Sequence, residues 1–437
     1  VFDSLGNLVG STTGDGVIDP HLAPLADNGG PTLTHALLPG SLALDSGNNT
    51  SSNDAGMVHD QRGAPFLRVY GAGVDMGSFE AQPLVITGST ARLTGTSGSD
   101  AIVYRIATGV LNINGIGYVL PDYIDFVDVD GGGGKDFINV IGTSGDEVVT
   151  SQTGEFSLEW NSLHTGVDLA GRNLEVIILD GQGGHDTVVM NDSAGDDKFF
   201  ARPTSGFMID VTGVHEVDAF GYQLTGVATT GNDLVKFFDS PGDDVLTARP
   251  TVSTLSGNGF LHTAHNFDVV VARSVGGTDT ANVFGTPGND AFTARAGIAV
   301  LSSTGFNYQL ESFALINANG LDGVDLVRFL GGAGADTLVA GPNSAQFQSG
   351  GFAMNTNQFE RLIGIGGNGA DDVAILNDSV GHDLFVAKPN LAELSGSGFF
   401  ERVTNFEIVS IRGINGGTNR KVMNDVYFQV VEVGSWE

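Results

Sequence analysis

The sequence predicts an all-β chain, a parallel β-solenoid, from three observations. One set of landmarks recurs every ~46 residues from about residue 96 to the end, and such repetition marks stacked units. Inside each unit apolar residues alternate with polar ones, the period of a strand. The composition is that of turns: 65 Gly, and 38 Asp against 13 Glu. A helical chain would favour Glu, Lys and Ala.

The composition also excludes classes. There is no Cys, so disulfide scaffolds, thiolate metal sites and cysteine nucleophiles are ruled out. With 51 acidic and 19 basic residues the formal charge is −32, which repels phosphate and argues against nucleic acid as a partner. No apolar run approaches the ~18 residues of a membrane span. The chain begins at Val1 without a leader, which suggests a mature or excised part of something longer.

The repeat domain is expected over 91–437, with seven units starting near 96, 142, 192, 239, 285, 331 and 378. A first Asp landmark appears at Asp100, Asp146, Asp197, Asp244, Asp290, Asp336 and Asp383, at intervals of 46, 51, 47, 46, 46 and 47. A second appears at Asp136, Asp186, Asp233, Asp279, Asp325 and Asp371, and Thr418 takes its place in the last unit. Gly-apolar pairs such as Gly259-Phe260 and Gly305-Phe306 form a third. Apolar anchors at Leu174, Phe267, Phe313, Phe359 and Phe406 form a fourth, with Gly221 where Phe is expected in the third unit. Segments such as Val245–Arg249 and Thr280–Phe284 read as short strands, about five to a unit. One unit cannot bury its own apolar face, so neighbours must stack, as two small coils or one large coil per unit. The four Phe anchors would then form an internal ladder. A seven-bladed propeller is the alternative, disfavoured because Asn-Gly and Asp-Gly hairpin turns are sparse.

Residues 1–90 differ. The run Asp19-Pro20-His21-Leu22-Ala23-Pro24-Leu25-Ala26-Asp27-Asn28-Gly29-Gly30-Pro31-Thr32 is followed by Ala43-Leu44-Asp45-Ser46-Gly47, Asp60-Gln61-Arg62-Gly63 and Val74-Asp75-Met76-Gly77-Ser78-Phe79-Glu80. These blocks over 19–81 resemble the closing segment of large bacterial parallel β-helix surface proteins. The resemblance implies that Val1–Gly16 is the last coil of a β-helix. It also implies export to the cell surface or beyond. It carries over no catalytic residue.

A second resemblance lies in the turns. Gly131-Gly132-Gly133-Gly134-Lys135-Asp136, Gly331-Gly332-Ala333-Gly334-Ala335-Asp336 and Gly366-Gly367-Asn368-Gly369-Ala370-Asp371 are similar to the calcium-binding nonapeptide of RTX β-rolls; Gly181-Gln182-Gly183-Gly184-His185-Asp186 departs at one Gly. The resemblance implies Asp136, Asp186, Asp336 and Asp371 as Ca²⁺ ligands. A β-roll repeats the motif in tandem, whereas here single copies stand apart.

Two readings of the Asp columns stay open. Carboxylates stacked at the ~4.8 Å spacing of strands would repel by about 3.5 kcal/mol per pair at an effective dielectric constant of ~20, which calls for cations. At twice that spacing they can cap turn amides instead. Among other groups, His262 and His265 sit three apart on a strand and so face opposite sides; they read as surface residues rather than zinc ligands. Adjacent carboxylates such as Asp243-Asp244 also face opposite sides, which argues against a glycosidase pair. Trp160 and Trp436 are the only Trp residues, few for stacking on sugars.

The leading functional expectation is a non-enzymatic, extracellular bacterial structural protein that self-associates into a fibre, stalk or surface layer. A glycan-binding adhesin and a polysaccharide lyase or hydrolase are the alternatives.

Overall fold

The computed structural model of the chain describes residues 18–38, 40–54, 56–70, 73–160 and 167–437. With 51% of residues in strands and 2% helical, the chain is all-β, and its strands form a parallel β-solenoid of about 9 turns. Among the described residues no helix is long and apolar enough to cross a membrane. The expected coil Val1–Gly16 lies outside the described residues.

Two compact units are present. One holds the described residues up to 150 together with 154–186; the other holds 151–153 and 187–437. The division falls inside the repeat array, not near residue 90 where the composition changes. In the first unit the segment before residue 84 is irregular, with isolated bridges such as Leu22 to Leu37 and His59 to Leu67 and one short helix, Asn49–Asp54. Its ordering centre is Arg62, fully buried, which forks onto Asp60 at 2.7 Å and donates to the Glu80 carbonyl. The guanidinium is sandwiched between Phe66 and Phe79, 3.8 and 3.9 Å from the ring centres. The Glu80 carboxylate accepts the Asp75 and Tyr70 N–H groups, and Asp75 accepts those of Asp45 and Ala81. The separated blocks of 43–80 are thus one hydrogen-bonded assembly.

The same first unit carries two parallel ladders. Thr90–Thr94, Phe126–Asp130 and Asp168–Arg172 form one; Ala101–Arg105, Phe137–Ile141 and Val176–Asp180 form the other.

The second unit shows the repeat most clearly. Val245–Arg249, Val252–Gly257 and Phe260–His265 form an antiparallel meander in one sheet. The chain then crosses to the other sheet for Val269–Arg273 and returns for Thr280–Phe284, which lies parallel to Val245–Arg249. The next repeat places its meander, Ala291–Arg295, Ile298–Ser303 and Phe306–Glu311, in the opposite sheet. The following one, Thr337–Gly341, Ser344–Ser349 and Phe352–Asn357, reverts to the first sheet. The sequence period is one repeat, whereas the structural period is two. Parallel neighbours on successive turns are mostly 35 to 39 residues apart, as with Val245 and Thr280 (35), Val269 and Asn307 (38) and Arg361 and Phe400 (39), rather than 46 or 23, because the meander adds strands that do not advance the turn.

The propeller alternative fails on the ladders. Val245–Arg249, Thr280–Phe284 and Leu315–Asn319 are consecutive parallel neighbours in one continuous sheet, where a propeller would have separate blades. Most meander turns are two-residue connections such as Asn258-Gly259, with Gly259 at φ +85°. The four Phe anchors are all buried, but successive ones do not build a ladder, since successive meanders lie in opposite sheets. The ring contacts are instead Phe199 with Phe267 at 5.9 Å and, two repeats on, Phe292 with Phe359 at 6.2 Å. Alternation holds along most strands: Leu246, Ala248 and Leu255 point inward and are buried, each large side chain contributing roughly 1.5–3 kcal/mol.

Candidate functional site in the acidic turns

The turn before most meanders has a common build. In Ser240-Pro241-Gly242-Asp243-Asp244 the landmark Asp244 accepts the Ser240 N–H at 2.9 Å and its hydroxyl at 2.7 Å, and the hydroxyl oxygen accepts the Gly242 N–H. Thr96 with Asp100, Thr286 with Asp290 and Ser379 with Asp383 repeat this. The landmarks are then linked between turns. The N–H of Asp244 donates to the Asp279 carboxylate at 2.8 Å, that of Asp290 to Asp325 at 2.7 Å, and that of Asp325 to Glu360 at 2.9 Å. A backbone N–H therefore bridges each carboxylate to the next. This is the turn-capping arrangement.

Four landmark positions shift by one residue. In the second unit the turn-capping acid is Glu147, which accepts from Thr143 and donates its N–H to Asp186; Asp146 lies one residue before and accepts from His185. In the sixth unit the second landmark is Asp372, which accepts the Asp336 N–H. Asp371 is exposed, at φ +71°, because its loop is one residue longer. Asn419, not Thr418, takes the second position in the last unit. In the third unit Gly221, at φ +82°, precedes the buried anchor Tyr222, so the expected Phe position is one residue later.

The four RTX-like candidates therefore do not share one role. Asp136 and Asp186 are second landmarks that accept the Asp100 and Glu147 N–H groups; Asp336 is a first landmark; Asp371 belongs to neither column. Burial, with Glu147 beside it, pushes the Asp186 carboxyl up to about 8. Burial also raises Asp136, which faces Asp100 and Glu175. The Gly residues of these turns serve close packing: a Cβ at Gly134, φ +120°, would meet the Gly98 carbonyl carbon at 2.5 Å.

Three-carboxylate groups arise elsewhere. Asp239, Asp244 and Asp279 are all buried, with one oxygen from each within 4.8 Å of the others. Asp239 accepts the Val275 N–H and Asp279 the Ser274 hydroxyl, while Asp239 Oδ2 and Asp244 Oδ1 have no hydrogen-bond partner. Burial and the adjoining Asp279 carboxylate push Asp239 up to about 7. Asp192, Asp197 and Asp233 form the equivalent group one repeat earlier. Sequence reasoning missed Asp239 and Asp192. Their signal lies five residues before the first landmark, where Asp192, Asp239 and Asp378 stand and other units have Gly95, Gly142, Gly285 and Gly331. A Cβ at Gly142 would lie 2.9 Å from Glu147 Oε2, so a side chain at this position is held against the landmark carboxylate.

His262 is buried rather than a surface residue. Its Nδ1 accepts the Leu224 N–H at 3.2 Å and its Nε2–H donates to the Arg202 carbonyl at 2.7 Å. Burial lowers its pKa, and the pair of bonds fixes it as a neutral core residue.

No protein-family model and no curated protein matches the chain.

Proposed function

We propose that the chain is a structural module of an extracellular bacterial surface protein, a subunit of a fibre, stalk or surface layer. One observation carries this reading: the repeated residues serve the scaffold. First-landmark acids such as Asp100, Asp244 and Asp290 cap a turn, and their N–H groups bond to the next turn's acid. Repetition of such residues preserves a stackable shape. The resemblance of 19–81 to surface-protein closing segments supports the location. Electron microscopy and sedimentation of the purified chain, with and without Ca²⁺, test the reading. Strings or lateral arrays are expected at high concentration; dispersed monomers under both conditions overturn it.

A glycan-binding role is the second reading, favoured by an asparagine ladder on an outer sheet face. Asn355 donates to Asn317, and Asn317 to Asn282, each at 2.9 Å. With Phe284, Asn319 and Asn357 these residues line a concavity of ≈ 240 Å³. Planar amides beside an aromatic ring suit sugar hydroxyls and a sugar face. Binding on a glycan array that is lost in Asn317→Ala would favour it over a purely structural role.

A further inference from the structure

We propose that Asp239, Asp244 and Asp279 form a Ca²⁺ site, with a weaker copy at Asp192, Asp197 and Asp233. Three carboxylates at 5%, 1% and 0% exposure lie together, and no ion pair among the described residues reaches them. Isolated buried carboxylates are costly unless paired, protonated or bound to a metal. Asp239 Oδ2 is unpartnered and has the Asp279 carboxylate as its neighbour.

The chain supplies its own control. In the last repeat the same three positions are Asp378, Asp383 and Asn419. There the Asn419 amide donates to Asp378 Oδ2 at 2.9 Å, while its oxygen accepts the Asp383 N–H. One carboxylate has become an amide, and its N–H₂ supplies the positive end that the Asp378 side chain needs. Where Gly occupies the first position, the third carboxylate is missing altogether. The Asp239 group has three acids and no such donor, so its neutralising partner must come from outside. A hard, oxygen-preferring cation fits an all-carboxylate donor set, and Ca²⁺ tolerates irregular coordination better than Mg²⁺. In the Asp192 copy the Thr229 N–H and hydroxyl already bond to Asp192, which makes it the weaker of the two.

The competing occupant is a proton shared between Asp239 and Asp279, and calorimetric titration of the chelator-treated full chain with Ca²⁺ at pH 8 separates them. One tight and one weaker equivalent are expected. Asp239→Asn, which copies the last repeat, removes the tight equivalent; Asn419→Asp, which copies the Asp239 group, adds one. Asp136→Asn leaves the count unchanged. The proposal is overturned if the parent chain binds no Ca²⁺, if Asp239→Asn keeps the tight site, or if Asp136→Asn removes it. Should Asp239→Asn fail to fold, the gain in Asn419→Asp decides alone, and no added equivalent then overturns the proposal.

Discussion

Glu401 occupies an inward-facing position in the third strand of its meander. In the same place other repeats carry Tyr118, His262, Tyr308 and Met354. Tyrosine and methionine suit that interior, and His262 uses both ring nitrogens in hydrogen bonds. Glu401 is buried with neither carboxylate oxygen bonded. Burial, reinforced by the charge of Asp383, raises its pKa well above that of a free Glu. The folded state therefore holds a proton that the unfolded chain releases near pH 4.5. Between that pH and the raised value, folding takes up a proton, so stability falls as pH rises. Glu401→Met, the residue of a sister repeat, is expected to stabilise the protein by about 1–3 kcal/mol at pH 7–8, the scale of an unsatisfied buried acceptor. The gain should shrink towards pH 4, where Glu401 is neutral in both states. Denaturant titrations at the two pH values check this; an equal gain at both would assign the effect to packing alone.

At the scale of the turn, successive loops touch through glycine. A Cβ at Gly323, φ +135°, would meet the Gly288 carbonyl oxygen at 2.5 Å, whereas one at Gly305, φ +87°, would meet nothing within 4 Å. Gly323→Ala should cost ~2–3 kcal/mol or more, and Gly305→Ala only the ~1–2 kcal/mol of left-handed backbone. Equal losses in denaturant titrations would remove close turn packing as the reason for the Gly column. This contrast also shows what was legible. Strands and landmarks could be read because alternation and turn chemistry are local. Of the two open readings of the Asp columns, hydrogen bonds within and between turns show the capping role, while cation binding stays a proposal for the three-acid groups. The alternation of meanders between sheets was not legible, since it depends on which residues meet 35–39 positions apart. The register errors have equally local causes: Glu147 serves where Asp was expected, because the longer side chain still reaches Thr143, and the extra loop residue moves Asp371 out of the column. The three-acid groups went unseen because their defining residue precedes the landmark, in a column that is otherwise mostly Gly.

For the whole molecule, the acid columns set an unusual pH dependence. Asp186 is pushed up to about 8, chiefly by burial and by Glu147; Asp218 and Asp325 reach about 6, by burial first and then by Glu216 and by Asp290 with Glu360. Both compact units contain such groups. Each titrates near pH 4 when unfolded, so between pH 4 and about 6–8 the folded chain binds more protons and loses stability as pH rises. Asp130, bonded to Asn173, Gly132 and Arg172, and Asp210, bonded to His215, Thr212 and Val214, act oppositely against their own burial. Their stabilisation is present above pH 4 and lost as pH falls through their lowered values. The raised groups outnumber the lowered ones, so in chelator Tm should peak at mildly acidic pH and decline towards pH 8. Ordinary domains are most stable between about pH 5 and 8. Added monovalent salt should recover part of the loss at pH 8 by screening the repulsion behind the −32 charge, but little at pH 4–5, where fewer carboxylates are charged. Thermal unfolding across pH 4–8 at low and high salt makes the comparison. A Tm that rises from pH 4.5 to pH 8 in chelator would mean that the columns are stabilised as full carboxylates by their N–H bridges, and that their burial does not govern the fold's response to pH.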